Sequence, residues 1–180
     1  MIYLIGGAPR VGKSILCQQV AARLRCGWIS TDLLVPLLLK HDTSIKQEWD
    51  ASPEAITAVA DWFFPYLDQF VWGVSSMAEN YVIEGVGFLP AQIAPLAAKY
   101  AVRSVFIGCS TMTFERFDQF PGRSVGYSFL PDATRRQFAA DIPRWSAFIQ
   151  QEAEHYSLPY VDTLDDFSAH LDEAADLLLE

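Results

Sequence analysis

The sequence predicts an α/β fold of three layers, in which helices cover both faces of a five-stranded parallel sheet. Short apolar segments alternate along the chain with longer segments whose apolar residues have helical spacing. The first apolar segment, residues 2–5, is followed by a glycine-rich loop and then by an amphipathic stretch. In parallel sheets of this kind, ligands bind at the carboxyl ends of the strands, and we therefore expect the functional residues there.

In the first half of the chain, apolar spacing and capping residues predict the elements. Apolar residues three and four positions apart predict a helix over 13–25. Thr31 or Asp32 is a natural N-cap for a second helix. A proline in the first turn indicates a long helix over 53–77, which Pro65 should kink or split. Strands are predicted at 2–5, 28–30 and 81–84, and a polar loop at 41–52.

The second half of the chain continues the alternation of strands and helices. The residues of 121–131 include prolines, glycines and hydroxyl side chains, which predict an exposed loop. Asp132 or Thr134 should cap the helix after this loop. Strands are predicted at 102–108 and 159–161, and helices at 89–99, 111–120, 132–155 and 164–179.

Composition and charge limit the function classes that the chain fits. Its 180 residues are typical of one domain, and a hydrophobic content of 51% can fill a sizeable core. The formal net charge of -9 argues against nucleic acid as a partner, because a phosphate backbone needs a basic face. No apolar run approaches the roughly 20 residues of a membrane helix. Scattered cysteines without metal spacing indicate reduced thiols, and we expect a cytoplasmic protein without a signal peptide.

The glycine-rich loop matches a phosphate-binding motif. Four residues separate Gly7 from Gly12, and Lys13 and Ser14 follow directly. The glycines let successive N–H groups turn toward phosphate oxygens, and the following helix adds the positive end of its dipole. Lys13 suits the outer phosphates and the Ser14 hydroxyl suits Mg²⁺, whereas the alternative is a turn without a ligand. The nucleotide-binding residues predicted in this loop are Gly7, Ala8, Pro9, Arg10, Val11, Gly12, Lys13, Ser14 and Ile15.

Two acidic residues stand at the ends of predicted strands. Asp32 follows the second strand and Glu84 ends the third, so both should lie beside the phosphate loop. In phosphoryl transfer, carboxylates hold Mg²⁺ or orient the attacking hydroxyl. We assign Asp32 to the hydroxyl and Glu84, with Ser14, to the metal, although the opposite assignment of the two acids also fits. The alternatives are a helix cap at Asp32 and a structurally paired buried acid at Glu84.

Arginines concentrate in the last third of the chain. Guanidinium groups stabilise the charge that develops on a transferring phosphoryl group. Arg123 lies in the predicted loop, which would close as a lid, and Arg135 and Arg136 begin the next helix. We predict a catalytic role for these three arginines, and the alternative for each is a solvated surface position.

The stretch between the two acids is itself acidic. From residue 32 to residue 88, acids outnumber the bases Lys40 and Lys46, and arginine is absent. A phosphorylated acceptor would normally require arginine, so a neutral or cationic hydroxyl compound is favoured. The aromatic residues of 61–72 indicate core packing, with an acceptor pocket or a dimer surface as the alternatives.

Together these motifs resemble the small P-loop kinases of the adenylate, shikimate and gluconate kinase type. The segment 82–86 with Leu89 and Pro90 is most similar to relatives of 2-phosphoglycerate kinase. The resemblance implies that Arg116 stacks on adenine and that Arg123, Arg135 and Arg136 are lid arginines. The arginine that holds a nucleoside monophosphate in adenylate kinases has no counterpart after Asp32, which argues against nucleotide and phosphoglycerate acceptors.

The resemblance implies a single P-loop kinase domain over residues 1–180. It would include an acceptor-binding insertion at about 33–79 and a lid at about 121–134. The expected function is transfer of the γ-phosphoryl group of ATP to a hydroxyl group with Mg²⁺. ATP over GTP is an expectation from the family alone. The alternatives are a nucleotide-dependent regulator and a binding module without turnover, and a homodimer is also compatible with the sequence.

Overall fold

The computed structural model describes residues 1–42, 44–45, 50–77, 79–119 and 125–180. Within them lies one five-stranded sheet in the order β2-β3-β1-β4-β5, in which all four pairs of neighbouring strands are parallel. Helices flank this sheet, which confirms the predicted three-layer α/β fold. The strands are β1 (Ile2–Gly7), β2 (Gly27–Ser30), β3 (Tyr81–Gly85), β4 (Val102–Gly108) and β5 (Tyr160–Asp162).

The first strand lies at the centre of the sheet, and its apolar sequence fits that position because both of its faces are covered. Every residue of β1 is buried, and the strand pairs with β3 on one side and β4 on the other. The register places Ile5 opposite Glu84, and Glu84 opposite Ser30. The carboxyl ends of β1, β2 and β3 therefore meet at one edge of the sheet, as the strand order requires.

Seven α-helices and two short 3-10 helices are assigned in the described part of the chain. Helix α1 packs against β3, and α6 and α7 pack against β4. The 3-10 helices are Pro90–Gln92 and Val125–Phe129. The α-helices are α1 (Lys13–Leu24), α2 (Thr31–Leu38), α3 (Pro53–Ser75), α4 (Ile93–Ala97), α5 (Phe114–Gln119), α6 (Asp132–His155) and α7 (Phe167–Leu179). No α-helix in the described ranges is both long enough and apolar enough to span a bilayer.

Helix α3 packs one apolar face into the core and is continuous through its proline. Phe63, Leu67 and Val71 are buried, whereas Phe70 is only partly buried. The helix runs through Pro65 without being split. Pro65 lies on the exposed side, where water can satisfy the carbonyl group that proline leaves without a donor.

The start of α2 differs by one residue from the prediction. Ser30, the last residue of β2, is the N-cap, and its hydroxyl accepts the N–H of Asp32 at 3.3 Å. The expected cap at Thr31 or Asp32 is therefore wrong, because Ser30 keeps an extended backbone and both following residues are already helical. This early start brings Asp32 into the first turn of the helix.

Candidate active site

The loop after β1 curls tightly at the carboxyl end of the sheet. Three of its residues have positive φ angles: Gly7 at 144°, Arg10 at 66° and Gly12 at 105°. A Cβ atom on Gly7 would lie 2.0 Å from the carbonyl oxygen of Ile107 in β4. Only glycine fits this position, because the backbone conformation and the neighbouring strand both exclude a side chain. The loop then leads directly into α1.

Lys13 is a buried cation at the start of α1. Its side chain is 5% exposed, and Nζ donates a hydrogen bond to the carbonyl oxygen of Ala8 at 2.6 Å. Burial lowers the pKa of Lys13, and the negative charges of Asp32 and Glu84 partly oppose this shift. The ammonium group is thus held inside the loop by one neutral acceptor, a position from which it can turn to an anionic ligand.

Ser14 and Glu84 form the next contact of the site. The Ser14 hydroxyl donates to Oε1 of Glu84 at 3.0 Å. Glu84 is 1% exposed, and its second carboxylate oxygen, Oε2, is buried and has no hydrogen-bond partner among the described residues. An orphaned buried carboxylate oxygen is costly, and a bound cation would satisfy it. Hydroxyl and carboxylate oxygens are the ligands that Mg²⁺ prefers, so this pair fits that ion.

Asp32 connects the start of α2 to the exit of β3. Its Oδ1 atom accepts the N–H of Val86 at 3.3 Å, and the neighbouring Thr31 hydroxyl accepts the N–H of Gly87 at 3.3 Å. Asp32 itself is exposed and lines the large cleft above the sheet. The carboxylate is therefore oriented by the backbone and remains accessible to a ligand.

A cleft of about 2060 Å³ brings these residues together. Its lining residues include two groups that lie on either side of the phosphate loop, because the loop follows the central strand β1. We define the α5/α7 side as Met112, Arg116, Phe117, Thr163, Asp165, Asp166 and Phe167. The α2/α3 side comprises Trp28, Asp32, Leu33, Val35, Ile45, Asp50, Ala55, Ile56, Ala58, Val59 and Val86. The volume is larger than a single small ligand requires, because typical ligand pockets occupy roughly 300–1,000 Å³.

Arg116 lines the cleft on the α5/α7 side and anchors the loop after β5. It donates to the carbonyl oxygen of Leu164 at 2.5 Å and to that of Thr163 at 2.7 Å. These bonds use the edge of the guanidinium plane, so that its faces remain suited to stacking. The geometry is compatible with the base-stacking role that the family resemblance implies.

Arg10 is turned toward the protein by its left-handed backbone. Its guanidinium donates to the carbonyl oxygen of Phe117 at 3.0 Å. It also lies 4.4 Å from the ring centroid of Phe117 and 5.2 Å from that of Tyr127. Burial lowers the pKa of Arg10. Arg10 thus joins the phosphate loop to α5 through a cation–π contact, which its position in the motif did not reveal.

The predicted lid arginines are not brought together at the cleft. Arg135 pairs with Asp118 and Asp132, and Arg136 lies 3.9 Å from the ring centroid of Phe114. Both therefore contact α5 or the start of α6, and neither lines the cleft. Arg123 lies outside the described residues. A catalytic role for Arg135 or Arg136 would require these side chains to leave their present partners.

Sequence reasoning missed several residues that line the cleft. Asp50, Ile56, Trp145, Tyr127 and Phe167 come from different elements, and no motif links them. Asp50 contributed only to the count of acidic residues in the sequence, and Ile56 belongs to the apolar face of α3. Apolar spacing indicates only that one face of α3 is buried. Which of its residues line the cleft depends on how the helix packs.

Comparison with solved structures supports the same architecture. A gluconokinase from Sinorhizobium meliloti 1021 is similar with a TM-score of 0.52 and 14% identity, over 98% of this chain and 90% of that chain. A shikimate kinase from Bacteroides thetaiotaomicron has a TM-score of 0.53 and 15% identity, over 98% and 94%. A dephospho-CoA kinase from Campylobacter jejuni has a TM-score of 0.50 and 12% identity, over 99% and 96%.

The similarity to these structures concerns the fold. At this level of identity, the chain has the fold of small P-loop kinases, which confirms the resemblance drawn from the motifs. No family model and no curated protein matches the sequence. The chemistry of this chain must therefore be argued from its own site.

Proposed function

We propose that this protein is a Mg²⁺-dependent kinase that transfers the γ-phosphoryl group of ATP to a hydroxyl group of a small molecule. One observation carries the proposal: a phosphate loop, a serine–glutamate pair and an accessible aspartate face a single cleft with two differently lined sides. The kinase fold of the structural neighbours supports the general reaction class.

In this proposal the phosphate loop and the α5/α7 side bind the nucleotide. The loop N–H groups and the N-terminus of α1 hold the phosphate tail, and Lys13 exchanges the carbonyl group of Ala8 for a phosphate oxygen. Phosphate binding compensates the cost of burying the ammonium group, because it replaces a neutral acceptor by a charged one. The base would lie against Arg116, beside the loop that follows β5.

Ser14 and Glu84 would hold Mg²⁺ in the phosphate-binding part of the cleft. When bound, the ion neutralises charge on the phosphate oxygens. The hydrogen bond between Ser14 and Glu84 already orients both groups, and the unpaired Oε2 of Glu84 supplies a further oxygen. The burial and existing partner of Glu84 favour the metal role for this residue over the role of a base.

Asp32 would accept the proton of the attacking hydroxyl group. Its exposed carboxylate stands on the α2/α3 side, and the bond from the Val86 N–H occupies Oδ1. A hydroxyl group between Asp32 and the phosphate loop would lose its proton to the carboxylate as its oxygen attacks the γ-phosphorus, and ADP would be the leaving group.

The test of this function combines nucleotide binding with transfer in an Asp32→Asn variant. We expect the variant to bind ATP in calorimetry as the wild type does, whereas transfer falls by about 10²–10⁴-fold, the usual contribution of a general base. Transfer is followed by ³¹P NMR of mixtures with ATP, Mg²⁺ and a panel of hydroxyl compounds. Asp172→Asn, a surface change on α7, is the matched control.

Three outcomes would count against the proposal in different ways. Unchanged transfer in Asp32→Asn would remove this residue from the mechanism. ATP hydrolysis of equal rate with and without every acceptor would favour a nucleotide-dependent regulator. A wild-type protein that binds ATP but never consumes it would favour a binding module.

A further inference from the structure

Tyr127 brings the segment before α6 into the cleft. It belongs to the 3-10 helix Val125–Phe129, within the stretch for which the family resemblance implied a lid, and it lines the cleft beside the phosphate loop. Arg135 and Arg136, which were predicted to serve the phosphates, have partners elsewhere and do not line the cleft. Within the described part of this segment, Tyr127 is therefore the side chain that can reach a bound ligand.

Contacts with three elements hold the aromatic ring of Tyr127. Its centroid lies 6.0 Å from that of Phe117 in α5 and 5.5 Å from that of Phe138 in α6, and both pairs meet edge to face. The guanidinium of Arg10, in the phosphate loop, lies 5.2 Å from the centroid of the same ring. Edge-to-face pairs and cation–π contacts favour particular geometries, so the ring has a defined place next to the loop.

The hydroxyl group of Tyr127 has no hydrogen-bond partner among the described residues. A tyrosine that is packed into the protein usually directs its hydroxyl to a partner. Burial raises the pKa of Tyr127, the charge of Asp32 raises it further, and the charge of Arg10 opposes both effects. The hydroxyl therefore keeps its proton at neutral pH and can donate a hydrogen bond to a ligand.

The surroundings of Tyr127 place it near the proposed point of phosphoryl transfer. Its ring contacts Arg10, and Lys13 follows three residues later in the same loop. Burial dominates the pKa of both Tyr127 and Lys13, and the charge of Asp32 acts on each of them. Because such effects weaken with distance, the three side chains share one part of the cleft. In the proposed function the γ-phosphoryl group lies there, between the phosphate loop and Asp32.

We infer that the Tyr127 hydroxyl donates a hydrogen bond to an oxygen of the γ-phosphoryl group when ATP is bound. This inference rests on the proposed function and adds a residue that contacts its substrate. The tyrosine keeps its proton, and no covalent bond to it forms or breaks. A donor whose ring is already held in place needs little reorganisation to stabilise charge on the phosphoryl oxygens.

The experiment compares two nucleotides that differ by the γ-phosphoryl group, ADP and the non-hydrolysable ATP analogue AMP-PNP. Each is titrated with Mg²⁺ into the full chain, as wild type and as Tyr127→Phe, and binding is measured by calorimetry. The variant should bind AMP-PNP about ten-fold more weakly, because it lacks one hydrogen bond to a charged group, and should bind ADP as the wild type does. This comparison requires no acceptor.

Tyr127→Phe removes a single oxygen atom and keeps the ring that contacts Phe117, Phe138 and Arg10. Its urea midpoint should equal that of the wild type, since the lost hydroxyl has no described partner. Transfer from ATP, followed by ³¹P NMR, should fall by about 10- to 100-fold. Tyr156→Phe, at the C-cap of α6 and outside the cleft lining, is the matched control and should leave binding and transfer unchanged.

The outcomes separate this inference from the proposed function. Equal weakening of ADP and AMP-PNP in Tyr127→Phe, or unchanged binding of both, would overturn the contact with the γ-phosphoryl group and leave the nucleotide site intact. A lowered urea midpoint with unchanged AMP-PNP binding would assign the hydroxyl a structural role instead. Failure of the wild type to bind either nucleotide would overturn the kinase function itself.

Discussion

The two sides of the cleft differ in what holds them and in what they offer a ligand. The α5/α7 side presents the guanidinium of Arg116, which is fixed by backbone carbonyl groups. The α2/α3 side presents carboxylates and apolar side chains. Carboxylates line both sides, Asp165 and Asp166 on the first and Asp32 and Asp50 on the second. The two sides therefore differ in the arginine that the backbone anchors, and not in the sign of their acidic groups.

The phosphate loop and the α2/α3 side are also stabilised differently. The loop is a tight backbone structure, in which Gly7 approaches β4 closely and Arg10 stacks against Phe117. On the α2/α3 side, side chains join the segment after α2 to α3: Asp42 accepts hydrogen bonds from Trp62 at 2.9 Å and from Tyr66 at 2.7 Å. Substitutions should therefore act through backbone strain in the loop and through side-chain hydrogen bonds at Asp42.

The largest expected effect comes from Lys13. In Lys13→Ala the buried cation is lost, so phosphate charge is no longer neutralised and transfer should fall by about 10²–10³-fold. The increase in melting temperature on adding ATP and Mg²⁺, measured by differential scanning fluorimetry, should also shrink sharply.

Lys99→Ala is the matched control for Lys13→Ala. Lys99 pairs with Asp68 on the surface, and its removal should leave the nucleotide-induced increase intact. A full increase in Lys13→Ala would instead show that the nucleotide binds elsewhere, and the distinction between the two sides would lose its basis.

A smaller effect is expected from a pair of glycine substitutions. Gly7→Ala forces a side chain into the carbonyl group of Ile107 at a φ of 144°, and we expect a loss of about 3 kcal/mol in the free energy of unfolding. Gly73→Ala, in helix α3, meets no atom within 4 Å and should stabilise the protein by up to about 1 kcal/mol. Urea denaturation measures both.

The two glycine variants can be compared directly because the same chemical change is made at both positions. Opposite signs are expected: strain at the phosphate loop, and improved helix propensity on the side of α3. A Gly7→Ala protein as stable as the wild type would mean that the loop is not tightly constrained, contrary to the contact with β4.

The smallest effect concerns pH and Asp42. Hydrogen bonds from Ser44, Tyr66 and Trp62 lower the pKa of Asp42. A lowered pKa in the folded state stabilises the fold above the unfolded value of about 3.9, and this contribution is lost as the pH falls through the folded value. Asp42→Asn should therefore be less stable than the wild type at pH 7, with a difference that shrinks below about pH 4.

Urea midpoints of wild type and Asp42→Asn at a series of pH values measure this difference. Asp172→Asn on α7, far from the loop, is the control for removal of an acidic charge. A difference that stays constant down to pH 2 would contradict the assigned hydrogen bonds, because it would show no proton linkage at Asp42.

The features that the sequence predicted well are those encoded over a few neighbouring residues. The glycine spacing before Lys13, between a strand and a helix, is specific to a phosphate loop. Glu84 ends a parallel strand, so it had to lie at the same edge of the sheet as that loop. The cap at Ser30 was missed because serine, threonine and aspartate are all favoured caps and stand in succession.

The positions of the arginines were less predictable for a different reason. A guanidinium group lies at the end of a long, flexible side chain, so its partners depend on the surrounding packing. The motif predicted that Arg10 lies in the phosphate loop, but its contact with Phe117 depends on where α5 lies. Arg135 pairs with acids near it, which an isolated count of basic residues does not show.

Local spacing and charge were enough to predict the phosphate loop, the parallel sheet and the acidic character of residues 32–88, because these features require no knowledge of distant contacts. Only the folded chain shows that Asp50 and Ile56 line the same cleft as Asp32 and Arg116. The physical reason is that a cleft is formed by separate elements, and the packing of helices on the sheet sets which faces meet.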